Sequence, residues 1–180
     1  MRYVREAALV AGMAAVATGA HAADSCSNAT LKGSYAFSIQ GQSLGVLQGT
    51  TVVPFPSPLP TNGVALTVFD GNGGLTQVDF VMRGGMSAAT PSTPLTDNGF
   101  RANETGSYSA AEDCTGTELI NFPDGSEIDL PLVVGAAGNI IKTVVTRQHL
   151  SVIPGNPNCT SGCDLAPQIS SEAVKVSRGE

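Results

Sequence analysis

The residues best suited to chemistry in this chain are four cysteines, Cys26, Cys114, Cys159 and Cys163. An even number of cysteines in an exported chain is typical of disulfide bonds, and four cysteines allow three pairings. The favoured pairing joins Cys26 to Cys114 and Cys159 to Cys163, because the CTSGC segment can close a tight loop by itself. A zinc site is the competing interpretation, but His149 is the only histidine after the export signal, so too few other ligands are present. The sequence therefore predicts two disulfides and no metal site.

His149 is also the only histidine available as a catalytic base. It lies two residues after Arg147 at the end of a predicted strand, and no residue nearby in the sequence would orient its ring. A Ser/His/Asp triad would have to use this one histidine, and the chain has no G-x-S-x-G nucleophile motif. We therefore predict a solvent-facing His149, no catalytic residue and no cofactor, which favours a protein that is not an enzyme.

Carboxylates and arginines offer a second kind of site. Glu118 lies on one predicted strand, and Glu127 and Asp129 lie on the next. A carboxyl group that faced a barrel interior would have a raised pKa and could act as an acid or base. The alternation around Glu127 and Asp129 instead directs both towards water. Arg83 and Arg101 flank a long polar loop and could hold an anionic ligand, although isolated arginines are usually solvated surface groups.

The first residues have the layout of a secretory signal. Arg2 and Arg5 precede an apolar stretch at residues 7–20, and Ala20-His21-Ala22 fits a cleavage site. We predict a signal peptide over residues 1–22, followed by a single domain over residues 23–180, in a secreted or periplasmic protein. Cys26 does not follow the small apolar motif of a lipoprotein signal, so a lipid anchor is not expected.

The charge of the chain limits its partners. The 180 residues carry a net charge of −6, and removal of Arg2, Arg5 and Glu6 with the signal leaves 7 basic against 14 acidic residues, or −7. Nucleic acids and anionic membrane surfaces require a basic patch, so neither is an expected partner. No segment after the signal is long and apolar enough to embed in a membrane. The oligomeric state stays open.

The elements that position these residues are predicted to be strands. Apolar residues alternate with polar ones through most of the chain, and the DGNGG segment at residues 70–74 is a hairpin turn between two such stretches. The two stretches are residues 64–68 and 78–82, and further predicted strands cover residues 34–39, 45–53, 106–110, 115–122, 127–134, 140–148 and 172–176. This pattern predicts an all-β fold, a single antiparallel β-barrel of about eight strands, with a β-sandwich as the alternative.

Two long connections interrupt the strands. PFPSPLP at residues 54–60 has proline at every second position, which prevents full ladder pairing and predicts a loop or an edge strand. It is interpreted as a stiff crossover, with a lid or docking segment as the alternative. Residues 86–99 are polar, and the sequence predicts a loop whose apolar members, Met86 and Leu95, could cap a cavity.

Several phrases carry a family resemblance. They are Cys26 followed by LKGSYAF, VFDGNGG at residues 68–74, GSYSAAEDCTGT at residues 106–117 and TVVTRQ at residues 143–148. In this order they resemble a largely uncharacterised family of bacterial secreted proteins, which is similar to the allene oxide cyclase-like and calycin barrels. The resemblance implies a small barrel and supports the pairing of Cys26 with Cys114. The CTSGC segment and the last strand extend beyond the resemblance.

Three functions are consistent with the sequence. The leading hypothesis is a barrel that binds a small, largely apolar ligand in its interior or mouth. The residues expected to face the interior are Tyr35, Phe37, Val68, Phe80, Ile128, Leu130 and Leu132, and the residues expected to contact the ligand are Tyr35, Phe37, Val68, Phe80, Met82, Tyr108 and Leu130. The alternatives are a cofactor-free cyclase or isomerase of the allene oxide cyclase-like type, and a structural or adhesive surface protein.

Overall fold

The computed structural model describes residues 25–151, 153 and 158–176, so the predicted signal peptide lies outside the described residues. The described chain is an all-β structure with ten strands and two short 3-10 helices. The strands are β1 (Gly33–Gln48), β2 (Thr51–Phe69), β3 (Gly74–Arg83), β4 (Met86–Ser87), β5 (Arg101–Ala110), β6 (Thr115–Asn121), β7 (Glu127–Gly135), β8 (Ile140–Val144), β9 (Arg147–Leu150) and β10 (Cys163–Lys175). The 3-10 helices are Asn28–Leu31 and Ala136–Gly138. Among the described residues, no helix could cross a membrane.

The strands form one antiparallel sheet that closes on itself. Each strand of the series β1, β2, β3, β5, β6, β7 pairs with the next, and β10 pairs with β1 to complete the ring. Strands β8 and β9 lie end to end, because both pair with β7 on one side and with β10 on the other. The result is an eight-stranded barrel, as the sequence predicts. Closure removes the unpaired edges that would otherwise expose backbone groups.

The two ends of the barrel differ, and we name them by their connections. The closed end carries the helix Asn28–Leu31, the turn at residues 70–73, the turn at residues 111–114 and the helix Ala136–Gly138. The open end carries the loop at residues 84–100, the turn at residues 122–126 and the connection between β9 and β10. Because successive strands run in opposite directions, the connections alternate between the two ends. The β1–β2 turn at residues 49 and 50 also lies on the open side, and the junction of β8 and β9 lies between the two ends.

The closed end is cross-linked and fully packed. A disulfide joins Cys26 to Cys114 across a sequence separation of 88 residues. The side-chain oxygen of Asn28 accepts a hydrogen bond from the backbone N–H of Ala110 at 2.7 Å, and the Tyr108 hydroxyl donates to the backbone oxygen of Asn28 at 3.2 Å. The same hydroxyl accepts from the N–H of Gly71 at 2.8 Å. These bonds hold the helix Asn28–Leu31 across the closed end of the barrel.

Aromatic rings fill the barrel above this helix. Phe69 makes edge-to-face contacts with Tyr35 and Tyr108, with ring centroids 5.4 Å and 4.8 Å apart. The Tyr35 hydroxyl donates to the backbone oxygen of Gly138, and burial raises the pKa of Tyr35 to about 12. Gly138 has φ 86°, and an added Cβ would lie 2.6 Å from the backbone oxygen of Thr30. A side chain at this position would therefore displace the helix Asn28–Leu31.

The rest of the apolar core continues from this cluster. Its buried members are Cys26, Leu31, Tyr35, Phe37, Ala65, Phe69, Leu75, Tyr108, Ile120, Leu130, Leu132, Val134, Ile141 and Ala173. Ile128 packs against it, so the prediction that Ile128, Leu130 and Leu132 face inward is confirmed. Most of these residues occupy alternate positions of their strands, as one face of a pleated sheet requires.

The β1–β2 hairpin extends past the barrel at the open end and builds a second, smaller core. Val46, Cys159, Cys163 and Leu165 are buried there, with Phe55, Leu150 and Ile153 packed against them. The second predicted disulfide, Cys159–Cys163, lies in this cluster. Both predicted disulfides are therefore present, which is typical of proteins from oxidising compartments.

The proline-rich segment at residues 54–60 belongs to this extension. It is part of β2 and pairs with β1 alone, since the pairing of β2 with β3 begins at Thr61. An unpaired outer side tolerates prolines, which cannot donate to a ladder. The edge-strand prediction is confirmed and the loop prediction is wrong. The strand predicted over residues 45–53 is also wrong, because a turn at Gly49 and Thr50 divides it between β1 and β2.

Candidate functional site

A β-bulge creates the polar site at the open end. Strands β3 and β5 pair Gln77 with Glu104 and Asp79 with Arg101, so β5 has one residue more than β3 between these two pairs. Asn103 lies in the bulge with φ 63°, a left-handed conformation that asparagine tolerates better than most residues. Side chains three positions apart in a regular strand face opposite sides. The bulge reverses this, and Arg101 and Glu104 both point into the barrel.

Asp79 and Arg101 form an ion pair in this interior. The Arg101 Nε donates to Asp79 Oδ1 at 2.6 Å, and a terminal nitrogen of Arg101 donates to the other carboxylate oxygen. Their side chains are 3% and 14% exposed. Burial by itself would lower the pKa of Arg101, but the hydrogen bonds and charge of Asp79 outweigh it and raise that pKa. The guanidinium also lies over the ring of Phe122, with its central carbon 4.5 Å from the ring centroid.

Glu104 lies beside this pair and is the most perturbed acid of the site. Its Oε2 accepts a hydrogen bond from Gln77 Nε2 at 2.9 Å, and Gln77 Oε1 accepts one from the Thr67 hydroxyl at 2.6 Å. Its Oε1 lies 3.5 Å from Arg101 Nε and has no hydrogen-bond partner among the described residues. Burial, and then the negative charge of Asp79, raise the pKa of Glu104 to about 8.

Glu118 is a second buried acid, on the inward face of β6. It is 3% exposed, and burial raises its pKa to about 7. Oε1 of Glu118 also lacks a partner within the described part of the chain. Two further buried atoms share this property, Thr61 Oγ1 and Arg83 Nε. All four residues lie at inward-facing strand positions. Thr61, Arg83 and Glu104 lie towards the open end, whereas Glu118 lies in the middle of β6 between Tyr108 and Leu130. Buried polar atoms normally have hydrogen-bond partners, so the barrel interior around these four atoms is suited to receive polar groups from a ligand or from water.

A cavity of about 240 Å³ opens next to Glu104. We call it the mouth cavity. Arg101 and Glu104 form its polar wall, while residues 92–94 of the long loop and residues 122–124 of the β6–β7 turn form the other sides. Pro94, Phe122 and Pro123 make part of this lining apolar. The long loop thus contributes to a cavity, but through residues 92–94. Met86 and Leu95, the residues predicted to cap it, are exposed.

Another cavity, of about 360 Å³, lies against β5, β6 and β7. Ser107, Ser109 and Thr117 line it, and these residues are exposed. Tyr108, Glu118 and Leu130 also line this second cavity. The mouth cavity differs from it in having an arginine, Arg101, beside an acid and the apolar residues Pro94, Phe122 and Pro123. A few charged groups within a partly apolar lining are typical of sites for small organic molecules.

The predicted ligand-contacting residues divide into two groups. Tyr35, Phe37, Tyr108 and Leu130 lie inside the barrel, but they belong to the packed core at and above the closed end. None of these four lines the mouth cavity. Their positions inside the barrel are as predicted, and a contact with a ligand stays a prediction.

The other group lies on the outside, and its interior assignment is wrong. Val68 is 36% exposed and Phe80 is 39% exposed, and Met82 shares the outward face of β3 with Phe80. The inward positions of these strands are taken by Thr67, Phe69, Gln77, Asp79 and Val81. The alternation was therefore correct but the face was reversed, because β3 is polar where it faces the interior.

The two arginines singled out in the sequence are not isolated surface groups. Arg101 pairs with Asp79, and Arg83 faces inward from the end of β3, where burial and the charge of Arg101 lower its pKa. Glu118 also faces inward, as the acid–base hypothesis requires. Sequence reasoning missed Asp79 and Glu104 altogether. The available signal was the polar run of inward residues on β3, but no pattern in the sequence reveals the bulge at Asn103.

An outward charged cluster surrounds His149. The His149 Nδ1 lies 2.9 Å from Asp164 Oδ1, so the residue that orients the ring lies 15 positions away in the sequence and not nearby. Arg147 contacts Glu127 at 3.1 Å and Asp129 at 3.5 Å, and both carboxylates are about two-fifths exposed, which confirms that they face water. Among the described residues, no group of three or more His, Cys, Asp and Glu side chains is placed to hold a metal ion.

Comparison with known proteins adds no relative. No family model, curated protein or solved structure matches this chain. The resemblance to bacterial secreted proteins and to the allene oxide cyclase-like barrels therefore stays a prediction, and function has to be argued from the site itself.

Proposed function

We propose that this protein is a secreted or periplasmic barrel that binds a small, largely apolar molecule in the mouth cavity. The observation that carries the proposal is the carboxyl group of Glu104. It is 1% exposed, lies in the cavity wall, and has one oxygen without a partner among the described residues. A buried polar atom of this kind costs free energy unless a ligand or water satisfies it. Pro94, Phe122 and Pro123 offer apolar contact beside it.

The cavity also explains where a ligand can bind and where it cannot. Large side chains fill the barrel from the helix Asn28–Leu31 at the closed end towards the open end. The aromatic cluster around Phe69 leaves no space for a ligand there. Between this core and the open end, the interior contains buried polar atoms that have no hydrogen-bond partner among the described residues. The binding site is accordingly at the mouth and not along the full length of the barrel, and a bound molecule presents its polar end to Glu104.

Nuclear magnetic resonance titration with a panel of small hydrophobic probes tests this proposal. We expect saturable shifts of amide signals from residues 92–94 and 122–124. Phe122→Leu removes a cavity-lining ring and should weaken binding severalfold, whereas the matched variant Phe80→Leu, which changes an outward-facing ring, should leave the affinity unchanged. Equal effects of the two substitutions, or the absence of saturable shifts, would contradict the proposal.

A cofactor-free isomerase or cyclase is the second candidate, and one observation favours it. A carboxyl group with a pKa of about 8 beside a cavity can exchange protons with a bound molecule near neutral pH. Such an enzyme acts mainly by holding its substrate in a reactive conformation. Acceleration of hydrogen–deuterium exchange at the methyl group of acetophenone, lost in Glu104→Gln, would support it. An exchange rate equal in the two proteins would exclude Glu104 from this role.

A further inference from the structure

The guanidinium beside Glu104 is already paired with another carboxylate. Arg101 donates two hydrogen bonds to Asp79 but only approaches Glu104, so Asp79 is the partner whose charge it neutralises. Ionised Glu104 would be a buried charge without a partner of its own, close to the negative charge of Asp79. This arrangement favours the acid form of Glu104.

The remaining neighbours of Glu104 do not supply a positive charge. Thr67 and Gln77 are neutral, and Phe122, which follows β6, is apolar. The charged groups that act on Glu104 are therefore Asp79 and Arg101, which are paired with each other. Its surroundings consistently favour the acid form.

The hydrogen-bond chain decides which oxygen of Glu104 carries the proton. The Thr67 hydroxyl donates to Gln77 Oε1, which fixes the orientation of the Gln77 amide. Gln77 Nε2 then donates to Glu104 Oε2, so Oε2 is occupied as an acceptor. The proton is left to Oε1. In the acid form this O–H can be donated to the Asp79 carboxylate or, at the wall of the mouth cavity, to a ligand.

We infer that the mouth cavity recognises its ligand through an uncharged carbonyl oxygen, which accepts a hydrogen bond from Oε1 of Glu104 in its acid form. This inference rests on the proposed function and names the ligand class of the same site. An ammonium group would have no acceptor at Oε1 and would lie beside Arg101. A carboxylate group would add negative charge beside Asp79 and Asp124. A neutral acceptor avoids both costs, and its apolar remainder contacts Phe122.

Three probes with one carbon skeleton test the inference. Acetophenone carries a carbonyl acceptor, 1-phenylethanol a hydroxyl group, and 1-phenylethylamine an ammonium group at neutral pH. Titration of the folded protein at pH 7, followed by amide shifts of residues 92–94 and 122–124, gives the three affinities. We expect acetophenone to bind most tightly and the amine most weakly, by about tenfold or more, because a donor that meets a donor leaves both unpaired.

The dependence on pH gives a second readout. Acetophenone requires the acid form, so its affinity should fall about tenfold between pH 7 and pH 9 as Glu104 loses its proton at a pKa of about 8. Glu104→Gln keeps the shape and an N–H donor, and should bind acetophenone with no such dependence on pH. Glu104→Leu lacks a donor and should bind it weakly at every pH. Circular dichroism spectra of both variants show whether the barrel is intact.

The outcomes separate the inference from the proposed function. Tighter binding of the amine than of acetophenone, or acetophenone binding that does not change with pH in the wild type, would overturn the inference while leaving a small-molecule site at the mouth. If none of the three probes shifts the cavity signals, and the wider probe panel also fails, the proposed function falls and the inference falls with it.

Discussion

The closed and open ends of the barrel belong to one sheet, yet their interiors follow different rules. At the closed end, three aromatic rings pack edge to face, and the hydroxyl groups of Tyr35 and Tyr108 are hydrogen-bonded. At the open end, an ion pair and Glu104 occupy the interior, with Oε1 of Glu104 lacking a partner among the described residues. Folding alone does not call for such acids, since apolar side chains would stabilise the interior better. The closed end is thus the packed and cross-linked part of the barrel, and the open end is where we propose that a ligand binds.

The largest effect expected from this comparison concerns the disulfides. Replacing Cys26 and Cys114 by serine frees a loop of 88 residues in the unfolded chain and should lower the free energy of unfolding by about 4 to 5 kcal/mol. Replacing Cys159 and Cys163 frees a loop of only 4 residues and should cost about 2 kcal/mol. Urea denaturation of the two double variants measures both values. Equal losses, or a larger loss for the Cys159–Cys163 pair, would contradict the view that the closed end is the main source of stability.

The second effect compares the buried and exposed arginines. Arg101→Met leaves Asp79 as a buried charge without its partner and should cost about 3 kcal/mol. The matched control is Arg147→Met on the outer surface, where the side chain is 42% exposed, and it should cost less than about 1 kcal/mol. Thermal or urea denaturation gives both values.

The double variant Asp79→Asn with Arg101→Met sharpens this test. It removes the unpaired charge together with its former partner, so it should recover part of the loss caused by Arg101→Met. A double variant that is less stable than the single one would show that the cost of Arg101→Met arises from lost packing on Phe122 and not from the charge of Asp79.

The contrast between the ends also marks what the sequence could predict. The closed end is built from Cys26, the LKGSYAF phrase and the DCTGT phrase. Their residue types alone indicate their structural roles: the cysteines form a disulfide, the alternate aromatic residues face inward, and the glycines allow turns. The fold, the two disulfides and the inward faces of Tyr35, Phe37 and Leu130 were accordingly predictable. These features depend on local rules that hold wherever they occur.

Parts of the interior were not predictable because they break those rules. Periodicity assigns apolar residues to the interior, so Val68 and Phe80 were placed there, whereas Phe69 and Asp79 actually face inward. The error at Val68 lies beside the closed end, and the error at Phe80 lies on the polar inward face of β3. Regular alternation also separates Arg101 from Glu104, and only the bulge at Asn103 unites them. Departures from sequence-level rules of this second kind are common at functional sites, where structure is not optimised for stability alone.

The dependence of stability on pH should come from two buried acids, Glu104 and Glu118. Burial raises the pKa of Glu104 from an ordinary value of 4.5 to about 8 and that of Glu118 from 4.5 to about 7. Between these values each acid is protonated in the folded chain and ionised in the unfolded one. The folded state then binds more protons, so the free energy of unfolding falls as pH rises, by up to about 1.4 kcal/mol per pH unit for each acid.

Single substitutions assign this slope to each residue. Glu104→Gln should remove the decline between pH 7 and pH 8, where Glu104 alone still changes, while Glu118→Gln should reduce the slope only below pH 7. Glu127→Gln, at an exposed outer position, is the control and should leave the slope unchanged. Urea denaturation at intervals of half a pH unit measures it. A wild-type stability that stays constant from pH 5 to pH 8 would show that these acids are not held in their neutral form.

The smallest expected effect concerns the β-bulge at Asn103, which brings Arg101 and Glu104 to the same side of β5. Asn103 has φ 63°, which glycine adopts without strain and a β-branched residue strongly disfavours. Asn103→Val should therefore lower the free energy of unfolding by about 1 kcal/mol relative to Asn103→Gly. Because the side chain of Asn103 is exposed, lost packing does not enter the comparison. If valine forces β5 back to regular alternation, Arg101 and Glu104 no longer share a face, and acetophenone binding should be lost in Asn103→Val but kept in Asn103→Gly. Equal stability and equal binding in the two variants would mean that the bulge is not what brings the ion pair and the acid to the same cavity.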